Sequence, residues 1–110
     1  MEHDIKAYLK DIELSIDEIY KFLPAKRDFF IFQKDLKTRK AVERNIEIIG
    51  EAMDRILKIN PEIEITNSRK IVDTRNRIIH GYDSVSADVL WLIATKYLPI
   101  LEIEVKKLLE

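Results

Sequence analysis

Three side chains with complementary chemistry lie within the eight residues that run from Arg75 to Tyr82. Arg75 is a permanent cation, and its planar guanidinium matches the geometry of phosphate oxygens. His80 is the residue type that gains and loses a proton near neutral pH, and Tyr82 offers a hydroxyl just past a glycine. A fixed cation combined with a group that transfers protons serves the cleavage of a phosphodiester bond. The segment therefore indicates phosphodiester chemistry.

The spacing of Arg75 and His80 sets a condition on the helix that carries them. Five positions along an α-helix turn the second side chain about 140° away from the first, so the two share a face only if the helix ends or loosens between them. We expect Gly81 to be the left-handed residue just beyond a helix that ends at His80. A helix C-terminus also favours the protonated imidazole, which would hold a proton ready for a leaving oxygen.

One copy of the chain carries too few groups to cleave RNA without a metal. That reaction needs a base for the 2′-hydroxyl, an acid for the 5′-oxygen and a cation on the phosphoryl group. A symmetric pair that faces two copies of the segment across a cleft supplies two imidazoles and two guanidiniums. We therefore predict a homodimer as part of the mechanism.

Other chemistries have weaker support in the sequence. Glu47, Glu51 and Asp54 lie at helical spacing, but a carboxylate-bridged metal site also needs Glu-x-x-His pairs, which the chain lacks. The sequence has no P-loop, no glycine-rich dinucleotide fingerprint, and no serine or threonine with an obvious base partner. We expect neither a metal nor a cofactor. On spacing alone the plainer interpretation stays open, with Arg75 as a surface residue and His80 as a helix-end cap.

The composition predicts a single all-α domain that spans residues 1–110. Two glycines and three prolines accompany 46% hydrophobic and 35% charged residues, which favours long amphipathic helices over a turn-rich β fold. The absence of cysteine excludes disulfides and thiolate chemistry and suits a reducing compartment. The N-terminus is acidic where a signal peptide is basic, and no apolar run approaches the length of a membrane span. We expect a cytoplasmic protein with no membrane segment.

The net charge of −1 conceals two basic segments. Residues 26–44 carry seven Lys or Arg against three acids, and residues 66–80 carry four against one. Any anion-binding surface is therefore local and built from these two segments, with a solvated helix surface as the alternative interpretation.

Hydrophobic residues recur at steps of three and four along most of the chain, which predicts helices. The expected main helices run from about Asp4 to Leu23, from about Leu36 to Ile59, from Asn67 or Ser68 to His80, and from about Ala87 to Leu109. A short aromatic segment around residues 29–32 belongs to a connection or a short helical turn. Short loops make neighbouring helices antiparallel, so the prediction is a bundle of four main helices plus a short segment.

Two residues interrupt these helical patterns. Gly50, in the middle of the second main helix, costs about 1 kcal/mol relative to alanine. It therefore marks a close approach by another backbone or by a bound group. Pro99 lies inside the last helix, where we expect it to produce a kink.

Two motifs in the chain resemble those of the HEPN superfamily. The HEPN pattern is an arginine, four to six residues and a histidine, commonly with a polar residue after the arginine, here Asn76. The HepT toxin branch has the narrower pattern of Arg, four residues, His, any residue and Tyr. The matching residues are Arg75, His80, Gly81 and Tyr82. The helical segment Arg44-Asn-Ile-Glu-Ile-Ile-Gly50-Glu-Ala52 is also similar to that branch.

This resemblance implies a dimeric helical bundle, a metal-independent endoribonuclease that acts as a toxin, and a minimal nucleotidyltransferase as its antitoxin. Arg75 and His80 would be catalytic, Asn76 would support them, and the antitoxin would attach AMP to Tyr82. The added phosphate would neutralise Arg75 and obstruct the cleft, by the same electrostatic rules as phosphorylation. The expected products are a 2′,3′-cyclic phosphate and a 5′-hydroxyl. The resemblance suggests tRNA as one substrate without specifying the RNA.

A function of another class stays open beside this one. The family includes members that bind RNA or nucleotides without cutting them, and related bundles serve as accessory domains of nucleotidyltransferases. The alternative is therefore a non-catalytic helical adaptor that binds a nucleotidyltransferase or its nucleotide. A purely structural bundle is a third possibility.

Overall fold

The computed structural model describes residues 3–80 and 85–110, and within those residues every regular element is a helix. The helices are α1 (His3–Phe22), α2 (Phe29–Lys34), α3 (Leu36–Ile59), α4 (Ser68–His80), α5 (Ala87–Leu92) and α6 (Leu98–Leu109). A π-helical turn, Ile93–Tyr97, joins α5 to α6. The predicted all-α class is confirmed, with α5 and α6 forming the fourth main helical segment and α2 the short one. No described helix is long and apolar enough to cross a membrane.

The two longest helices, α1 and α3, pack against each other and supply half of the buried apolar residues that the structure describes. Their apolar residues follow the steps of three and four that place side chains on one helical face. Each of the following is at most 3% exposed: Ile5, Leu9, Ile12, Ile16 and Ile19 on α1, and Val42, Ile46, Ile49, Met53 and Ile56 on α3. Burying one such side chain contributes roughly 1.5–3 kcal/mol, whereas an exposed ion pair contributes about 0–1 kcal/mol. Apolar packing therefore dominates the stability of the bundle. A different face of α3 packs against α4.

Asn45 is a buried polar residue at the contact between α3 and α1. Its side chain is 4% exposed and donates to the Ala41 carbonyl at 3.0 Å and towards the Glu18 carboxylate at 3.5 Å. Buried amides need such partners because an unmatched one costs about 1–3 kcal/mol. Asn45 belongs to the segment of residues 44–52 that resembles the HepT branch. It therefore has a structural role within a single copy of the chain.

Two aspartates explain why the aromatic segment forms a helix of its own. Asp28 begins α2 by accepting from the Phe30 amide at 2.9 Å. Asp35 ends α2 and begins α3, where it accepts from the amide and hydroxyl of Thr38 at 3.1 and 2.6 Å. Such caps satisfy the backbone groups that a helix end leaves unpaired. The chain therefore turns sharply at Asp35 instead of continuing as one helix.

The last helical segment is interrupted by the π-helical turn, which precedes the predicted position of the kink at Pro99. In a continuous α-helix, Pro99 would leave the Thr95 carbonyl without its donor and press its ring against it. The Leu98 amide instead bonds to the Ile93 carbonyl, five residues back, and the Thr95 hydroxyl donates to the Trp91 carbonyl at 2.7 Å. Pro99 thus falls in the first turn of α6, where its missing N–H costs little.

The connection between α3 and α4 is bonded to α6 through the carboxylate of Glu104. Glu104 accepts from the Thr66 amide at 3.2 and 3.1 Å and from the Thr66 hydroxyl at 2.7 Å. Three hydrogen bonds to a charged acceptor fix the loop two residues before α4 begins. This contact therefore helps to set where α4 starts.

We expect Glu104→Ala to lower the free energy of unfolding by about 1–2 kcal/mol, because the Thr66 donors lose a charged acceptor. In a domain of this size, the melting temperature should fall by at least roughly 4 °C. Glu102→Ala is the matched control on the same helix, since Glu102 forms an ion pair with the exposed Lys106 at 3.7 Å and accepts no hydrogen bond from the described connection before α4. Thermal unfolding by circular dichroism measures both variants, and equal melting temperatures would contradict the assigned role.

Candidate active site

The position of α4 is set by its close approach to α3 at Gly50. The connection between the helices is short, so α4 runs antiparallel to α3 and packs on the face that α1 leaves free. A Cβ atom at Gly50 would lie 2.3 Å from the Arg75 Cβ, 2.9 Å from its Cγ and 3.1 Å from the Ile71 carbonyl oxygen. No side chain fits in that space. The prediction that Gly50 marks a close backbone approach is confirmed.

Arg75, the first predicted site residue, lies in this contact. Its side chain is 15% exposed, and its Nη2 atom is 3.0 Å from the Asp54 carboxylate on α3. The Arg75 Nε atom is buried and has no hydrogen-bond partner among the described residues. The guanidinium has five N–H donors, and the ion pair with Asp54 is made by its Nη2 atom. The ion pair therefore fixes the position of Arg75 without engaging its whole donor set.

Asp54 is shared between two cations. The Lys58 ammonium lies 3.1 Å from the same carboxylate oxygen that contacts Arg75. The hydrogen bond from Lys58 is the main cause that lowers the pKa of Asp54; burial opposes it, and the charges of Lys58 and Arg75 lower the pKa further, so that it lies below its ordinary value. The carboxylate is therefore ionised at neutral pH and restrains Arg75 on the surface of α3.

His80 and Asn76 lie on a different face of α4. The helix is regular through His80, its last residue, so it does not loosen after Arg75. His80 is exposed and Asn76 is half-buried. Four positions apart, these two share a face, whereas Arg75 and His80 leave the helix about 140° apart. The structure therefore brings Asn76 near His80 and does not place Arg75 beside His80 within one protomer.

Two of the predicted positions cannot be located. Tyr82, the expected acceptor of AMP, lies outside the described residues, and so does Gly81, the expected left-handed residue after the helix. The structure describes α4 as helical through His80, so the predicted end of the helix at this residue stays a prediction.

The three acids that lie at helical spacing on α3 are each engaged by a basic side chain. Glu47 lies 3.2 Å from Arg44, Glu51 lies 3.6 Å from Arg55, and Asp54 contacts the cations described above. In the part of the chain that the structure describes, no three potential metal ligands are grouped together. These carboxylates therefore act as ion-pair partners in this arrangement.

Sequence reasoning missed the role of Asp54, which it considered only as a metal ligand. The available signal was its spacing from Gly50, because four residues are about one helical turn and place both on the same face of α3. A glycine allows another helix to approach closely. An acid one turn later on the same face can then form an ion pair with a basic side chain of that helix.

Comparison with known proteins identifies the family. The model of the family described as ribonuclease HepT-like matches residues 12–108. A protein of Thermococcus cleftensis named "Probable ribonuclease HepT" is 36% identical over 112 residues, which cover 98% of each chain. A "Putative RNase" of Methanocaldococcus jannaschii is 34% identical over 107 residues, covering 92% of this chain and 85% of that protein. No solved structure gives a significant match. The chain therefore belongs to the HepT-like ribonuclease family, within the HEPN superfamily that its motifs indicated.

We expect Gly50→Ala to destabilise the protein, although alanine is favoured over glycine in a helix by about 1 kcal/mol. The new methyl group would collide with the Arg75 side chain, and α4 would have to shift away from α3. Thermal unfolding gives the sign of the change, and a higher melting temperature would contradict the close packing described here. Glu51→Ala is the control for the adjacent position, because Glu51 is exposed on the same helix.

The Asp54 ion pair predicts an acid-sensitive contribution to stability. Because folding lowers the pKa of Asp54, the stabilisation is present above the unfolded-state pKa, about 4, and is lost as the pH falls through the folded-state value. We expect Asp54→Asn to be less stable than the wild type at pH 6, and the difference to shrink as the pH falls below about 4. Urea unfolding at several pH values measures this, and a difference that is constant with pH would contradict the role of the charge.

Proposed function

We propose that this chain is a metal-independent endoribonuclease that works as a homodimer, with Arg75 and His80 as its catalytic residues and Asn76 supporting His80. The observation that carries the proposal is the arrangement of α4. One face of this helix holds an arginine clamped by Asp54, and another presents an exposed histidine, in a family whose relatives are named ribonucleases. The whole of residues 1–110 is proposed to form one domain.

The proposed reaction is an internal transphosphorylation of RNA. An imidazole removes the proton of a 2′-hydroxyl, and the 2′-oxygen forms a bond to the adjacent phosphorus. The bond from that phosphorus to the 5′-oxygen breaks, and the 5′-oxygen accepts a proton from the same His80 ring, which the first proton transfer has made an imidazolium. The Arg75 guanidinium stabilises the negative charge that builds up on the phosphoryl oxygens. The products are a 2′,3′-cyclic phosphate and a 5′-hydroxyl, and no metal enters the balance.

The need for two protomers follows from the geometry of α4. Arg75 and His80 diverge by about 140° on one helix, so a single phosphate cannot easily meet both from the same copy. In a symmetric dimer, Arg75 of one protomer can approach His80 of the other across the twofold axis, and the second pair forms by symmetry. The proposed cleft therefore lies between the α4 helices of two copies.

We further propose that the enzyme is a toxin that a minimal nucleotidyltransferase neutralises in the cytoplasm. The neutralising reaction is adenylylation: the Tyr82 hydroxyl gives up its proton to solvent, and its oxygen forms a bond to the α-phosphorus of ATP. The α–β anhydride bond breaks, and pyrophosphate leaves with the AMP retained on Tyr82. Tyr82 follows His80 by two residues, so the attached phosphate would lie close to the proposed cleft. Its negative charge would compete with RNA for Arg75. Transfer RNA is the substrate that the family resemblance suggests.

The Arg75–Asp54 ion pair also supports a second candidate function. An arginine whose charge is engaged by a carboxylate serves equally well to fix α4 on α3 in a non-catalytic adaptor for a nucleotidyltransferase. Such an adaptor would form the complex and would cut no RNA at any pH. Cleavage assays on the isolated chain separate the two functions.

We expect the purified protein to cleave RNA in the presence of EDTA, and Arg75→Ala and His80→Ala each to reduce the rate by at least about a hundredfold. The first variant loses the stabilising cation, and the second loses the proton-transferring group. Mass spectrometry of the fragments should show 2′,3′-cyclic phosphate ends. Arg44→Ala is the control, since Arg44 lies on α3 away from α4. Equal rates for all four proteins would overturn the assignment of both residues.

We expect incubation with ATP and the nucleotidyltransferase to add AMP to the wild type and not to Tyr82→Phe, which lacks the hydroxyl. Intact-mass analysis gives the increment, and RNA cleavage by the modified wild type should fall. Tyr8, Tyr20 and Tyr97 are the other possible acceptors in the chain. An AMP increment that persists in Tyr82→Phe would move the modification to one of them.

A further inference from the structure

Two arginines, Arg39 on α3 and Arg75 on α4, share an unusual feature. Among the described residues, two buried side-chain polar atoms have no hydrogen-bond partner, and they are the Nε atoms of Arg39 and Arg75. Leaving such a group unmatched costs about 1–3 kcal/mol, so native proteins rarely do so without a functional reason. Arg75 is accounted for by the proposed chemistry, whereas Arg39 has no role so far.

Arg39 is flanked by two acids that do not neutralise it. Asp35 and Glu43 lie one helical turn before and after Arg39 on α3, which is the spacing of helical ion pairs. The Asp35 carboxylate instead accepts from the Thr38 amide and hydroxyl, and Glu43 lies 3.8 Å from Lys40. No described carboxylate forms an ion pair with Arg39. Arg39 is half-buried, and it therefore has no counter-ion among residues 3–80 and 85–110.

Arg39 is also aligned with the proposed site. It precedes Gly50 by eleven residues, which are close to three whole turns, so the two positions are about 20° apart around α3 and roughly 16 Å apart along it. Arg39 thus lies on the line of α3 that faces α4. Because the helices are antiparallel, His80 is displaced from Arg75 in the same direction, by roughly 7.5 Å. Measured along the axis of α3 towards its N-terminus, Arg75 comes first, His80 next and Arg39 last.

We infer that Arg39 binds a phosphate of the RNA next to the one that is cut. This inference rests on the proposed ribonuclease function and adds a substrate-binding residue to it. A backbone that passes the Arg75 and His80 side chains and continues along α3 brings a flanking phosphate to the level of Arg39. The guanidinium there contacts phosphate oxygens, which every RNA sequence presents. Lys34, Lys37 and Lys40 add exposed positive charge around it.

The test measures RNA binding in a His80→Ala background, where the RNA stays intact. The probe is a short fluorescein-labelled single-stranded RNA that the wild type cleaves, and the readout is fluorescence anisotropy at several salt concentrations. We expect Arg39→Gln to weaken binding about tenfold, the loss of one charge-assisted contact. The slope of log affinity against log salt should fall by about 0.7, the value for one phosphate of a single strand. Arg39→Lys should retain the slope.

Arg44→Gln is the matched control. It removes the same charge from the same helix, but Arg44 points about 140° away from Arg39 and pairs with Glu47 at 3.2 Å. We expect its RNA affinity to match that of the parent. An Arg39→Gln protein that binds RNA as tightly as the parent, or that loses no more than Arg44→Gln, would overturn the inference.

A second arm separates a direct contact from a change in folding. Single phosphates of the RNA are replaced in turn by neutral methylphosphonates, which removes one charge at a time. The effect of Arg39→Gln should disappear on the RNA whose contacted phosphate is already neutral, as in a double-mutant cycle. If the effect persists on every RNA of the series, Arg39 acts through the fold and the inference fails. RNA binding that is absent in the parent, together with no cleavage by the wild type, overturns the proposed function as well.

Discussion

The approach of α4 to the surface of α3 at Gly50 is the constraint on which the proposed site depends. Because Gly50 has no Cβ atom, the Cβ and Cγ atoms of Arg75 can occupy the space next to its backbone. Once the helices are this close, the Arg75 guanidinium reaches Asp54, one turn further along α3. A backbone requirement at one residue thereby fixes the position of a cation on the neighbouring helix. The cost of glycine in a helix interior, about 1 kcal/mol, is offset by this packing.

The regularity of α4 distributes the proposed catalytic groups over two faces. The face towards α3 holds Arg75, which is shielded and paired, while the outer face presents His80 and the half-buried Asn76. A rigid helix cannot rotate one of these side chains towards the other, so convergence on one phosphate has to come from a second copy of the chain. The proposed dimer is thus what helix geometry requires if both side chains are to meet one phosphate. In the same account, the line of α3 that contains Gly50 offers Arg39 to a neighbouring phosphate.

The ends of the helices could be predicted from the sequence because local chemistry determines them. Asp35 caps α3 and Pro61 lies just beyond its end, so both boundaries of this helix were predicted correctly. Gly50 indicated a close approach by another element, but the sequence did not indicate that Arg75 is the residue that approaches. The ion pair between Asp54 and Arg75 joins positions twenty-one residues apart on separate helices, and no periodicity within one helix reveals such a pair. The π-helical turn was likewise missed: the sequence marks Pro99, but it does not reveal the hydrogen bond from the Thr95 hydroxyl to the Trp91 carbonyl that accompanies the turn.

The central claim is that Arg75 of one protomer acts with His80 of the other, and mixed dimers test it most directly. Arg75→Ala and His80→Ala subunits are each inactive in this account, but a dimer that contains one of each has one complete site and one empty site. Random pairing of equal amounts should restore about a quarter of the wild-type rate of RNA cleavage, since about half of the dimers are mixed. Differently tagged subunits, co-expressed and purified through both tags, give the mixed dimer alone, with about half of the wild-type rate. A mixed dimer no more active than either single variant would contradict the claim.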